Sequence, residues 1–222
     1  MKWESRHFCR QEGPVIDEPK VRKRRVNGED SRRRILDAAT AVASERGYDG
    51  TRIALVSKRC GLPASSIYWH FKDKDDLVSA VIERSFGTWI KALALPAGDD
   101  PREQIVEMSM RIAKSLLDAP NFLRLGLMLS LERRPEELRA RTTFVKVRDR
   151  AHEQISNTMR DFMPGLSQES VKLLTTYAIS VSDGLFIAKE IDDDSVDLVG
   201  LFELHAHLIF DAANRLKAEG NL

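Results

Sequence analysis

Arg52-Ile-Ala-Leu-Val-Ser-Lys-Arg-Cys-Gly-Leu-Pro-Ala-Ser-Ser-Ile-Tyr-Trp-His-Phe71 is the stretch on which the reading of this chain turns. Ile53, Val56 and Leu55 recur at helical spacing, and Gly61 ends that helix with the left-handed backbone that glycine tolerates. Pro63 suits the first turn of a second helix, where its fixed φ is already helical and its missing N–H has no partner to lose. In that helix, Ala64 to Phe71, Ile67 and Phe71 face inward, and Pro63, Ala64, Ser65, Ser66, Tyr68, Trp69 and His70 remain outside. Exposed aromatics cost solubility, but two hydroxyls, a phenol, an indole and an imidazole supply donors for phosphates and base edges. Small residues at the start let the helix approach a duplex, its unpaired N–H groups favour a nearby phosphate, and a major groove about 12 Å wide admits it.

Working outward, Asp30 or Ser31 is expected to cap a first helix carrying Ile35, Leu36, Ala39, Val42 and Ala43, with Gly47 as its stop. Thr51 is expected to cap the helix that opens the quoted stretch and to offer its N–H or hydroxyl to a phosphate. Asp73 caps a fourth helix, with Asp76 reaching back as in a capping box, and Leu77, Val81, Ile82, Phe86, Trp89 and Leu93 carry it to the break at Pro96. Lys74 sits in its first turn, where a cation opposes the helix dipole and calls for an external anion. Residues 1–29 hold Gly13, Pro14, Pro19, Gly28 and the run Lys20-Val-Arg-Lys-Arg-Arg25. They are expected to form a disordered basic arm, either a solubilising tail or a source of minor-groove and distal phosphate contacts. From Lys20 to Ser85 there are 15 Lys and Arg against 9 Asp and Glu, whereas the remainder holds 20 against 25, so positive charge is concentrated around the quoted stretch. That asymmetry points to a polyanionic partner.

The segment Ser31 to Glu83, above all Gly61-Leu-Pro-Ala-Ser-Ser-Ile-Tyr-Trp-His-Phe-Lys-Asp-Lys-Asp-Asp-Leu77, resembles the DNA-binding domain of the TetR family of bacterial regulators. Gly61, Tyr68, His70, Phe71, Lys74 and Leu77 keep the family pattern; Pro63 and Asp73 stand where serine is usual, and Trp69 where arginine or another polar residue is common. The resemblance implies that Thr51, Ser66, Tyr68, His70 and Lys74 position phosphates and that Ala64, Ser65 and Trp69 face bases. Arg52 and Pro63 complete the expected DNA contacts. It also implies a sequence-specific transcriptional regulator, a repressor released from a double-stranded palindromic operator by a small-molecule effector, and a homodimer built on a four-helix bundle. A helical ligand- or partner-binding protein with a non-functional helix-turn-helix is the alternative.

Beyond Pro101 the apolar residues keep helical spacing to the end, with helices expected near 101–118, 120–132, 135–162, 167–190 and 195–217. The fold expected is therefore all-α, about nine helices: a helix-turn-helix domain over residues 30–76 with the motif at 52–71, and an effector-binding and dimerisation domain over 77–222. The last two helices carry broad apolar faces that suit a dimer interface, with Ser180 and Gly184 allowing close backbone approach. A largely apolar effector is expected among Phe86, Trp89, Met108, Ile112, Phe122, Met128, Phe144 and Met159, with Tyr177 and Asp183 as polar handles, although the same residues also suit a plain core.

Catalytic constellations are missing from the sequence. His205 and His207 lie at i, i+2 and do not share a helical face, Asp192-Asp-Asp194 lacks the remainder of a calcium loop and reads as a helix cap, and no HExxH, GxSxG, P-loop or GxGxxG occurs. No catalytic residue, cofactor or metal is expected. Cys9 and Cys60 are far apart, no stretch approaches the roughly 20 apolar residues of a membrane span, and the N-terminus lacks an apolar signal core. A cytoplasmic protein without a membrane partner is expected.

Overall fold

A computed structural model describes residues 20–94, 96–133 and 135–220, with residues 20–27 as backbone alone. Nine α-helices are described: α1 Lys20–Gly50, α2 Ile53–Cys60, α3 Ala64–His70, α4 Lys74–Trp89, α5 Pro101–Asp118, α6 Asn121–Leu131, α7 Arg139–Phe162, α8 Gln168–Asp192 and α9 Leu198–Ala218. Two 3₁₀ turns, Ile90–Leu93 and Asp193–Ser195, complete the regular structure, and the described residues include no strand.

The start of α1 departs from expectation. Asp30 and Ser31 lie inside the helix, which begins at Lys20, so helix occupies the stretch 20–29 expected to be disordered; residues 1–19, with Cys9, Gly13, Pro14 and Pro19, lie outside the described residues. Lys and Arg are good helix formers, and one glycine at position 28 is too weak a breaker to stop a helix anchored by Ile35, Leu36 and Ala39. Gly47 interrupts α1 with φ 65°, as its position predicts. Thr51 does not cap α2; the cap residue is Arg52, without a side-chain bond. Arg34 and Ser57 instead tie the far end of α2 to the turn, donating to the carbonyls of Cys60 and Leu62 at 2.8 and 2.7 Å.

Helices α1 to α4 enclose one core, in which Ile35, Ala39, Val56, Ile67 and Leu77 are fully buried. A second core joins α4 to α9 through Phe86, Phe122, Leu129, Phe144 and Phe202. Helix α4 belongs to both, turning Leu77 and Val81 to the first and Val78, Ile82 and Phe86 to the second. It ends at Trp89 and tightens into the 3₁₀ turn, short of the continuous helix expected.

Around the second core, α4 lies on α7, α5 on α9, α8 between α7 and α9, and α6 against α1. The expected start of α7 near Pro135 moves to Arg139, and its N-cap Leu138 makes no side-chain bond. Asp197, not the Asp192–Asp194 run, caps α9 by accepting from the Gly200 N–H at 3.0 Å. Helix α8 corrects the membrane expectation as stated. Over Gln168–Ser195 it is long and apolar enough to cross a bilayer by length and composition. That hydropathy arises because α8 is apolar on two sides, one packed on α7 and α9 and one exposed.

Candidate nucleic-acid interface and ligand cavity

The α3 surface is built from behind. Ile67 is fully buried and Phe71 nearly so, with the Arg32 guanidinium 5.4 Å over the Phe71 ring, so α3 cannot roll without opening the first core. Gly61 has φ 68° and ψ 21°, the left-handed turn that lets α3 leave α2 at once. Asp73 fixes the exit by accepting from the Asp76 N–H at 2.7 Å, while the Asp76 carboxylate accepts from the Lys72 N–H at 3.0 Å, one residue beyond the expected capping box.

On the outer face Tyr68 is 56% and Trp69 76% exposed, and Arg52, Pro63 and Ser65 are exposed with them. Ala64, Ser66, His70 and Lys74 are half-buried. The side chains of Ser65, Ser66, Tyr68 and Trp69 make no hydrogen bond to another described residue. None of the three ring residues Tyr68, Trp69 and His70 packs beneath the second core. Trp69 instead stands edge-on to His70, ring centroids 4.6 Å apart, and beside Gly28 of α1. Burial, and then the nearby Arg32 cation, push the His70 pKa below its ordinary 6.5, so the imidazole acts as a neutral donor and acceptor at physiological pH.

One expected contact, Thr51, needs correction, and the dipole argument for Lys74 loses its force. Thr51 is fully buried, its hydroxyl donating to the Gly47 carbonyl at 2.7 Å and its N–H to the Tyr48 carbonyl at 3.1 Å; it shapes the turn and has no donor left for a phosphate. Lys74 finds its compensation inside the protein. Its ammonium donates to the Tyr48 carbonyl at 3.3 Å, lies 4.1 Å from the Tyr48 ring centroid and 3.8 Å from the Asp49 carboxylate, so the dipole no longer demands an external anion.

The second core encloses a cavity of about 110 Å³. Phe86, Trp89, Met108, Ile112, Phe122, Phe144, Met159 and Asp183, eight of the ten expected effector residues, line it. Met128 does not; it is half-exposed on α6 and reaches toward Gly47. Tyr177 does not either; it is 46% exposed on the outer side of α8, its ring 6.0 Å from His205. Phe86, Trp89, Phe122 and Phe144 form a linked aromatic wall with successive centroids 5.6 to 6.0 Å apart.

Sequence reading missed Arg148 and His205. Arg148 grips Asp183 with both terminal nitrogens, Nη1 to Oδ1 at 3.0 Å and Nη2 to Oδ2, pinning α7 to α8 across the cavity wall. His205, 4% exposed, meets the Ala178 carbonyl at 3.2 Å through Nε2. Both interrupt apolar stripes, Arg148 between Phe144 and Ile155 and His205 between Phe202 and Ile209; a polar residue at such a position is the signal available from sequence. Asp75, in the first turn of α4, is a third missed residue. Its carboxylate accepts from the Arg139 and Ala140 N–H groups at 2.6 and 3.0 Å and from the Tyr48 hydroxyl at 3.1 Å, capping α7 from another helix.

Residues 35–81 match the family described as bacterial regulatory proteins, tetR family. The chain is 39% identical over 65 residues to the HTH-type transcriptional regulator AcrR of Shigella flexneri, covering 29% of this chain and 30% of that protein. It is 28% identical over 110 residues to the fatty acid metabolism regulator protein of Bacillus subtilis, covering 47% and 55%. The chain thus matches between about a third and a half of the length of these curated relatives. Among solved structures, a tetR-family transcriptional regulator from Streptomyces coelicolor has a TM-score of 0.71 at 15% identity, over 86% of this chain and 83% of that one. The transcriptional regulator FadR from Bacillus subtilis in complex with stearoyl-CoA has a TM-score of 0.66 at 21% identity, over 79% and 96%. At these identities the likeness concerns the fold.

Proposed function

We propose that this chain, which belongs to the tetR family of bacterial regulatory proteins, is a cytoplasmic, sequence-specific DNA-binding transcriptional regulator, a repressor released from a palindromic operator by a small apolar effector. The α3 face carries the reading: a helix clamped from behind by Ile67 and Phe71 that presents hydroxyl, phenol and indole groups with no partner among the described residues. Residues 30–76 are assigned to DNA binding and residues 77–222 to effector binding and dimerisation, with the basic segment up to residue 29 adding phosphate contacts.

One α3 helix buries too little surface for tight operator binding, so two copies are needed, their recognition helices roughly 34–36 Å or a longer helical repeat apart. A stripe of exposed residues on α8, Leu173, Tyr177, Ser180, Gly184, Ile187 and Ile191, with Leu204 and Leu208 on α9, supports a homodimer through these helices. Nothing described lies within 4 Å of where a Gly184 side chain would begin, which leaves room for a partner backbone. Effector occupancy shifts the population toward a spacing that no longer fits the operator, limited by the effector's differential affinity for the two states. Helix α4, which puts Phe86 and Trp89 into the cavity wall and Leu77 and Val81 into the first core, connects the two. The stearoyl chain in the ligand of the Bacillus subtilis neighbour accords with an apolar portion in the effector here.

The test is binding of the full chain to its own upstream intergenic DNA against a scrambled fragment, over a range of salt. Selective binding that weakens steeply with salt, and at least about tenfold on Tyr68→Ala with Ser65→Ala, is the expected result. Equal and weak binding to both fragments rejects the operator reading.

A further inference from the structure

The face of α1 that packs the first core continues beyond it. Ile35 and Ala39 are fully buried, and Arg32 and Gly28 carry their line toward the start of the helix, at the spacings of three and four residues that share one side. Rings at the end of α3 meet that continuation. Phe71 lies under the Arg32 guanidinium at 5.4 Å, and Trp69 reaches Gly28, its Cζ3 and Cη2 atoms 3.8 and 3.9 Å from where a Gly28 side chain would begin. His70 stands between them, its ring centroid 4.6 Å from that of Trp69 and 6.2 Å from that of Phe71. Gly28 is half-buried, whereas Glu29 beside it is exposed.

This contact lies at the foot of a basic stretch. Lys20, Arg22, Lys23, Arg24 and Arg25 fall in the first two turns of α1, and the first turn holds no acidic residue. Such a helix start works against itself, because cations there oppose the helix dipole and like charges three or four residues apart repel. A helix end that runs on past its core also frays unless packing or a ligand holds it. Trp69 supplies packing at Gly28, and a polyanion relieves the charge. Trp69 also belongs to the exposed face of α3, so a helix start that rests on it lies on the same side of the domain as that face.

We propose that Trp69 is the seat of the basic start of α1: its indole holds the helix at Gly28 beside the α3 face, so that the stretch Lys20 to Arg25 meets backbone phosphates as an ordered unit. Trp69 is thus a positioning residue and not the base contact expected of it. This rests on the DNA-binding reading and assigns one residue its part in it. The far edge of the six-membered ring makes the contact, and Trp69 remains 76% exposed.

Salt titration of DNA binding by the full chain tests the seat, because each phosphate neutralised adds about 0.9 to the slope of log affinity against log salt. Anisotropy of an upstream intergenic fragment and of a scrambled one is followed for the native chain and for Trp69→Phe. A third chain carries Gln at positions 20, 22, 23, 24 and 25, which removes the charge and keeps good helix formers. Trp69→Phe keeps an aromatic ring next to His70 and lacks the edge that reaches Gly28; Trp69 belongs to neither core, so the variant keeps the fold. It should flatten the slope by about 2 or more on both fragments, the loss of two or more phosphates. Preference for the operator should hold within about twofold, since phosphate contacts carry no sequence information. The Gln chain should lose at least as much slope, and Trp69→Phe added to it should change the slope no further. A native slope in Trp69→Phe, a loss of operator preference, or a slope loss that adds in full to that of the Gln chain overturns the proposal; the second outcome makes Trp69 a base reader. The operator reading is judged on the native chain alone. Equal binding of both fragments rejects it, and the slopes on either fragment still decide the seat.

Discussion

Gly126 is a glycine because Phe144 occupies the place of its side chain: a Cβ there would lie 2.0 Å from the Phe144 ring, which is itself 2% exposed. Gly126→Ala should cost about 1–3 kcal/mol, as overpacking does, and a urea denaturation midpoint measures it. His205 carries a second prediction. Its folded pKa lies below 6.5, first because of burial and against the Ala178 hydrogen bond. The unfolded chain thus binds the proton more readily, so the contribution to stability is full above pH 6.5 and is lost as pH falls through the lowered folded value. The urea midpoint should drop between pH 7.5 and 5 in the native chain and drop less in His205→Gln; equal slopes would remove His205 as the cause. The partner of neither residue is legible in the sequence. Gly126 reads as a mild helix breaker and His205 as one of two histidines on an apolar helix, and what each touches comes from helices more than fifteen residues away.

At the scale of elements, the decisive joint is between α4 and α7. Helix α7 has no cap of its own, and Asp75, two residues past the Asp73 cap of α4, supplies one while also accepting from Tyr48. Arg139 returns the contact, its guanidinium 3.6 Å from the Asp73 carboxylate and 3.2 Å from that of Asp76. One side chain so links α1, α4 and α7, and α7 lines the cavity from Phe144 onward. Asp75→Ala should destabilise the chain by about 1–2 kcal/mol, because two N–H groups at the start of α7 lose their acceptor. It should also weaken the effect of a bound ligand on DNA affinity while leaving ligand affinity itself nearly unchanged. Parallel titrations of ligand and of DNA in the presence of ligand check the two halves. An unchanged response of DNA affinity to ligand would show that the signal travels through Trp89 and α4 alone.

For the whole molecule, the exposed stripe on α8 and α9 sets the expectation. Ile187→Glu with Leu208→Glu places charge on that stripe without touching the cavity wall. Sedimentation is expected to report a dimer for the native chain and a monomer for this variant, and operator affinity should fall steeply although the α3 face is unaltered. A native chain that sediments as a monomer under conditions of tight operator binding would exclude this interface. The stripe also explains why α8 is apolar enough for a membrane by composition: an apolar face against α7 and α9 and an exposed apolar face add to one hydropathic total.

The sequence by itself determined the all-helical class and the nine helices of the described residues, and with them the helix-turn-helix, because helical periodicity, Gly47, Gly61, Pro63 and Asp73 act within a few residues of where they stand. It also marked which face of α3 is apolar, since Ile67 and Phe71 are four residues apart. Tertiary structure decided whatever depends on a neighbour from elsewhere in the chain. Lys74 found Tyr48 and Asp49 because the end of α1 meets the start of α4, whereas Thr51 turned inward onto its own neighbours Gly47 and Tyr48. Met128 and Tyr177 fell outside the cavity while Arg148 and His205 came into it, because a helix rotated by one residue, about 100°, exchanges its buried and exposed faces, and that rotation is set by packing among α5 to α9.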